Sequence, residues 1–358
     1  MKKRFLCLLL AVAVCFSFAA CAEAEDAARG EIENLPAVYV ESEFAPLKKV
    51  IVSQSEFTDS VLPVSRCYVP IENVIAAGGE LRDGYIYNTV DQRTLDRMTE
   101  EREELCAVLE KYGVEVLRPR KLTEKEMAQA VLPEGASHGK GLSNFFVRDP
   151  FIVVGDHVIE ANFRKEYRRF EALTARDIFL GKSSSYVGLP MADISDSERG
   201  PFLEGGDVIV YHKQVFVGNS GFASNSEGIQ WLRDYLAPYG YEVIEVKLQG
   251  HILHLDCALS LVREGLMIVC EESFVDGIPE TFRDWDRISV PEIYAMNMAV
   301  NGLPVSPEVY ITDIVFKNTV GKELEARGVK VEYLDQAATR SYSGSVHCST
   351  QPVLRIDE

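Results

Sequence analysis

The chain has 358 residues, 47% of them hydrophobic and 26% charged, with a formal net charge of -18 at pH 7. So acidic a surface disfavours nucleic acid as a partner and attracts cations, a guanidinium or amine substrate among them, although solubility alone accounts for it equally well. The first residues, "MKKRFLCLLLAVAVCFSFAACAEAEDA", carry a basic start, an apolar run and then small residues. That is the pattern of a secretory signal peptide over residues 1–24, too short and wrongly flanked for a stable membrane span. "SFAAC" further resembles a bacterial lipoprotein signal, in which Cys21 would become the lipidated first residue and tether the protein to a membrane; Ala24 offers an ordinary cleavage site instead. Either outcome exports the mature protein. A polar spacer over 25–35 leads into residues 36–358, where no Pro/Ser-rich linker or long charge block divides the chain, so one domain is expected.

Along that domain, apolar β-branched runs recur with helical segments between them. "LKKVIVSQ" from Leu47, "FIVVGDHVIEA" from Phe151, "DVIVYHKQVFVG" from Asp207, "ALSLVREGLMIVC" from Ala258 and "NMAVNGLPVSPEVYI" from Asn297 each read as a strand, a short turn and a second strand. "DQRTLDRMTEEREELCAVLEKYG", "SEGIQWLRDYLAPYG" and "VFKNTVGKELEARG" place apolar residues at three-and-four spacing with glycine at the stop, the signature of amphipathic helices. Each leads into another strand: "VEVLRP", "YEVIEVK" and "VKVEYLD". The repeated unit is therefore strand, strand, helix, strand, and an α/β array closed or stacked around a centre is expected. Past Cys21 the cysteines are Cys67, Cys106, Cys257, Cys270 and Cys348. An odd number without close pairing is no disulfide framework, so at least one thiol is free.

Four short stretches fall at the end of a strand or in the turn beside it: "FVRDP" with Asp149, "FLEGGD" with Glu204 and Asp207, "HLD" with His254 and Asp256, and "VHCST" with Cys348. Taken singly, each has an ordinary explanation as a turn aspartate, a solvated acid, a satisfied core histidine or a small buried hydrophobe. Taken together they supply the parts of a nucleophilic site. A cysteine nucleophile needs a histidine to stabilise the thiolate and handle protons, and the histidine needs a carboxylate to orient its ring. Cys348, His254 and Glu204 would fill those roles. Asp149 and Asp256 remain, and a pair of carboxylates suits a planar guanidinium, since each accepts paired N–H bonds. Metal binding is the rival use of such residues, but the few histidines have no familiar ligand spacing, and no metal is expected.

The order "RDP…EGGD…HLD…HCST" resembles the guanidino-group-modifying superfamily: arginine deiminases, agmatine and peptidylarginine deiminases, dimethylarginine dimethylaminohydrolases, and the glycine and inosamine amidinotransferases. The likeness runs from "ESEFAPLKKVIV" to "VHCSTQPVLR". It implies a five-bladed α/β propeller, the pentein fold of repeated ββαβ units around a central site, in agreement with the repeat read above. It implies further that Cys348 is the nucleophile, His254 the general acid and base, Glu204 the partner of His254, and Asp149 and Asp256 the substrate clamp. Asn297 would be a supporting residue behind the site, Asp207 a structural one closing the "EGGD" turn, and His347 a neighbour that packs or caps. The reaction implied is hydrolysis of a guanidino group through an amidino-cysteine intermediate, with no cofactor; transfer of the amidino group to an amine is the alternative, and a guanidino-binding lipoprotein without chemistry a second one. Arginine deiminases usually place an arginine after the "VG.S" strand and another just before the cysteine to hold the substrate carboxylate. Here those places hold Phe222, Ala223 and Ser343. Arg164, Arg168, Arg169 and Arg340 remain as substitutes, although "FRKEYRRFE" reads as a helix whose arginines form a solvated face.

Overall fold

The apolar runs pair as antiparallel hairpins, and each hairpin gains a third, parallel strand through the segment that follows it. A computed structural model describes residues 36–53, 61–64, 80–82, 85–89, 92–129, 145–164, 168–190 and 200–356. The leader, Cys21, Cys67 and the spacer up to residue 35 lie outside the described residues. In one blade Phe151–Val154 pairs antiparallel with His157–Glu160, which pairs parallel with Ser185–Gly188. The same order recurs in Val208–Tyr211, Gln214–Asn219 and Glu242–Lys247, in Leu259–Arg263, Leu266–Val269 and Asp286–Ser289, and in Leu303–Ser306, Val309–Asp313 and Lys330–Leu334. These strands are Val/Ile-rich because apolar clusters cover them: Val208, Val210, Val215 and Val217 pack with Ile229, Leu232 and Leu236 of the following helix.

The first blade departs from the expected pattern in an informative way. Leu47–Val52 has no hairpin partner next to it in sequence; it pairs parallel with Glu115–Leu117 and antiparallel with Thr350–Arg355, the last strand of the chain. The two ends of the domain thus build one blade together and close the ring of five. Closure places the first and last strands of the domain in one sheet, so neither is left without a pairing partner. It also pins Cys348 two residues before a strand that is paired along its length. A further three-stranded sheet, Val61–Val64, Tyr85–Thr89 and Glu80–Arg82, is inserted between the first strand and the helix of that blade.

The helix of the unit is kept where the sequence supports it and lost elsewhere. Gln92–Lys111 and Ser226–Leu236 are α-helical, the latter capped by Asn225, whose side chain accepts from the Gly228 N–H. The expected third helix begins as 3₁₀ and π turns over Ile314–Gly321 before Lys322–Ala326 turns α-helical. Between Val269 and Asp286 there are only 3₁₀ turns, where Gly277 adopts φ of +82° and Pro279 follows. Of the "FRKEYRRFE" stretch, the described residues from Arg168 on are not α-helical: Arg168 lies in a 3₁₀ turn, and Glu171–Thr174 is a 3₁₀ segment.

Candidate active site

The turns between blade strands carry the expected residues inward. Asp149, Glu204, Asp207, His254, Asp256 and Cys348 are all buried at 1–3% exposure. Burial of this many ionisable groups is tolerated only when they satisfy one another.

His254 lies at the centre of the first group. Its Nε2 is 3.0 Å from Glu204 Oε2, and its Nδ1 is 3.7 Å from Asp149 Oδ1. Burial works against the charged imidazole, but Asp149, the Glu204 hydrogen bond and Asp207 outweigh it and raise the His254 pKa well above the ordinary histidine value. Burial also pushes Glu204 up, but the bond to His254 and the charges of His254 and Arg168 hold it below the usual carboxylate range. His254 is therefore held in its charged form, with its ring fixed by the Glu204 carboxylate.

The "EGGD" turn is shaped by close approach. A Cβ on Gly205 would lie 2.1 Å from the Arg148 carbonyl oxygen, and one on Gly206 would lie 2.6 Å from His254 Nδ1 and 2.7 Å from Asp149 Oδ1. Only glycine lets this turn touch both residues. Asp207 then ties the turn to its neighbours: Oδ2 accepts from the Ser224 N–H and Oδ1 from the Leu255 N–H, each at 3.1 Å. Because Leu255 sits between His254 and Asp256, the structural role expected for Asp207 becomes specific: it anchors the "HLD" segment. Gly206→Ala is expected to lower kcat/KM by about 100-fold while leaving most of the melting temperature intact, since a displacement of this size at His254 is costly to alignment. Unchanged kinetics in that variant would show that His254 need not stay where it is.

Cys348 sits in a turn closed by the two hydroxyls that follow it. Ser349 Oγ donates to the Ser345 carbonyl at 2.6 Å, and Thr350 Oγ1 to the His347 carbonyl at 3.1 Å. The Cys348 thiol is 3.5 Å from Asp256 Oδ2. Cys257 donates to the other oxygen, Oδ1, at 3.4 Å. Among the described residues Cys106, Cys257, Cys270 and Cys348 are all free thiols, more than the one that their odd number required.

Two residues differ from expectation. Asn297 is exposed, and its side chain donates to the Ile293 carbonyl at 2.8 Å, away from the site. The asparagine that supports the site is Asn301, four residues on. Its Oδ1 accepts from the backbone N–H of Ser345 and of Cys348, at 3.1 and 3.2 Å, and its Nδ2 donates to the Asp256 carbonyl at 3.3 Å. Both asparagines lie in "NMAVNG", and the signal that separates them is the Asn-Gly pair immediately before a strand, where site residues of this chain sit. Arg168, expected on a solvated face, is half-buried and turned inward instead. Its Nη1 is 2.9 Å from Asp149 Oδ2 and 3.7 Å from Glu204 Oε2, its Nε and Nη2 both bond Glu171 at 2.9 Å, and it stacks over the Phe163 ring at 4.5 Å. Periodicity could not show this, because Asp149 and Glu204, which draw the guanidinium inward, lie far away in sequence. The other three substitutes are engaged elsewhere: Arg340 with Asp313, Arg164 with the Gly221 carbonyl and Arg169 with the Phe163 carbonyl.

Asp149, Glu204 and His254 each offer a donor atom within 4.8 Å of the others, a spacing a metal ion would accept. The Arg168 guanidinium already supplies positive charge to two of them, and the remaining unsatisfied atom is a single one, Asp149 Oδ1, which is buried without a hydrogen-bond partner. One open carboxylate oxygen beside a charged histidine suits an N–H donor better than a metal.

The family model described as N,N dimethylarginine dimethylhydrolase, eukaryotic, matches residues 87–355. The chain belongs to this family. It is accordingly a guanidino-group-modifying enzyme of the pentein fold. Inosamine-phosphate amidinotransferase 1 of Streptomyces griseus is 24% identical over 348 residues, covering 89% of this chain and 97% of that protein. Among solved structures, SxtG, an amidinotransferase from Microseira wollei, superposes with a TM-score of 0.73 at 22% identity over 90% of this chain and 98% of that one. A dimethylarginine dimethylaminohydrolase superposes with a TM-score of 0.58 at 18% identity over 87% and 100%. Hydrolases and transferases thus share this fold.

Proposed function

We propose that this enzyme is a cysteine-dependent hydrolase of the guanidino group of arginine or an arginine derivative. The observation that carries the reading is the buried Oδ1 of Asp149, which accepts no hydrogen bond, faces charged His254 at 3.7 Å and feels the charge of Asp256, which in turn meets the Cys348 thiol. Arg168 illustrates that Asp149 accepts a guanidinium N–H at 2.9 Å. In the proposed reaction, Asp149 and Asp256 hold the substrate guanidinium, and the Cys348 thiolate attacks its central carbon. An S–C bond forms and, as a C–N bond breaks, His254 gives its proton to the departing amine. Water, deprotonated by His254, then attacks the amidino-cysteine; the C–S bond breaks, releasing a ureido product and restoring the thiolate. Ammonia is the first product when the terminal nitrogen departs.

Transfer of the amidino group to an amine is the second reading, favoured by the amidinotransferase that matches 89% of the chain. Purified protein mixed with L-arginine, agmatine and an arginyl peptide, with ammonia and ureido product assayed, is expected to yield both. Product formation that waits for added glycine would replace the hydrolase by a transferase, and binding without product would leave only a receptor. Among the three guanidines, those without a free α-carboxylate are expected to have the higher kcat/KM, because a carboxylate entering this acidic site needs a cation, and Arg168 is already held by Glu171 and Asp149. A clear preference for L-arginine would show that Arg168 exchanges partners when substrate binds.

A further inference from the structure

The residues just before the clamp aspartate and just before the cysteine are joined behind the site. Arg148 precedes Asp149 and His347 precedes Cys348, and Arg148 Nη2 lies 2.5 Å from His347 Nε2. The same Nη2 is 2.8 Å from Glu43 Oε2, and the Arg148 N–H donates to the Cys348 carbonyl at 3.2 Å. On its other side His347 reaches the second clamp residue, with Nδ1 2.8 Å from Asp256 Oδ2, the oxygen that also faces the Cys348 thiol. Glu43, Arg148, Asp256 and His347 are each 5% exposed or less.

The chemistry of the partners settles which way the imidazole points its proton. A guanidinium only donates, so the ring nitrogen it meets at 2.5 Å must accept, and Glu43 Oε2 at 3.3 Å from the same nitrogen is the weaker neighbour. The ring proton then sits on Nδ1 and is donated to Asp256. Burial pushes Asp256 up, but the hydrogen bond from His347, with the charges of His254 and Arg148 behind it, holds it below the usual carboxylate range.

We propose that His347 is a positioning residue: its Nδ1–H fixes the Asp256 carboxylate between nucleophile and substrate, and its Nε2 ties the spacing of Asp149 to Cys348 through Arg148. This deepens the guanidine-hydrolase reading and rests on it. Two amide variants separate this role from packing. Asparagine places its amide nitrogen near the position of Nδ1 and can still donate to Asp256; glutamine is closer to histidine in volume but reaches toward the position of Nε2.

The test measures kcat/KM for the best guanidine substrate in His347→Ala, His347→Asn and His347→Gln, with melting temperatures alongside. It also measures the rate at which iodoacetamide alkylates Cys348, followed by mass spectrometry of the Cys348 peptide. His347→Ala is expected to lose about 100-fold in kcat/KM, with His347→Asn recovering most of that and His347→Gln little. Alkylation of Cys348 is expected to slow about ten-fold in His347→Ala and to recover in His347→Asn, because an Asp256 relieved of its hydrogen bond holds the thiol proton more strongly. Equal recovery by both amides, better recovery by glutamine, or losses that follow the melting temperatures alone would overturn the proposal. Should the wild type turn over no guanidine, the hydrolase reading fails, and the alkylation order still decides the role of His347.

Discussion

Cys348→Ala is expected to abolish turnover, lowering kcat by roughly 10⁴-fold or more, while a guanidine ligand still binds. Charge in this site is held by carboxylates, not by sulfur: Asp149 keeps its contact with Arg168 and its open Oδ1, and Asp256 keeps its bond from His347. Isothermal titration with a guanidine against the variant should therefore give a measurable dissociation constant. Mass spectrometry of wild-type enzyme quenched during turnover should show a covalent adduct on the Cys348 peptide that the variant lacks. The neighbouring thiol does not provide a replacement. Cys257 is buried, bonded to Asp256, and has its pKa raised well above the ordinary value by its contact with Cys348 and by burial. More than trace activity in Cys348→Ala would remove Cys348 as the nucleophile.

The second large effect is expected from the clamp. Truncating one partner of a buried, hydrogen-bonded charge pair costs about 2–5 kcal/mol, which at the transition state is roughly 30- to 4000-fold in kcat/KM. Asp149→Asn and Asp256→Asn should each fall in that range, but for different local reasons. Asn at 149 reduces the charge that faces both Arg168 and His254. Asn at 256 removes the negative charge beside the Cys348 thiol and disturbs an oxygen shared with His347, so turnover should fall while alkylation of Cys348 quickens. Asp207→Asn should act mainly on the melting temperature, because both of its oxygens accept backbone N–H groups from Ser224 and Leu255. Near-wild-type kinetics in either clamp variant would take that residue out of the site.

Local pattern was enough to read much of this architecture and chemistry. Alternating and continuous Val/Ile runs state where strands form because burial on a pleated sheet demands them, and the recurrence of strand, strand, helix, strand states that units stack. The members of the buried cluster were legible for a related reason: His254, Glu204, Asp149, Asp256 and Cys348 are ionisable or nucleophilic residues placed in turns beside apolar strands. Long-range geometry was not legible. That Leu47–Val52 pairs with Thr350–Arg355 follows from ring closure, a condition on the whole chain that no short window contains. The exchange of Asn297 for Asn301 depends on which of two asparagines a turn buries, and composition is the same for both. Arg168, read as part of a solvated helix face, departs most from expectation, and the partners of His347, read as a neighbour that packs or caps, were not visible in the sequence. Each owes its place to partners far away in sequence, Asp149 and Glu204 for the first, Glu43 and Asp256 for the second. Periodicity reports how a residue relates to its own element; the energy of a buried charge is decided by the opposite charges that folding brings to it.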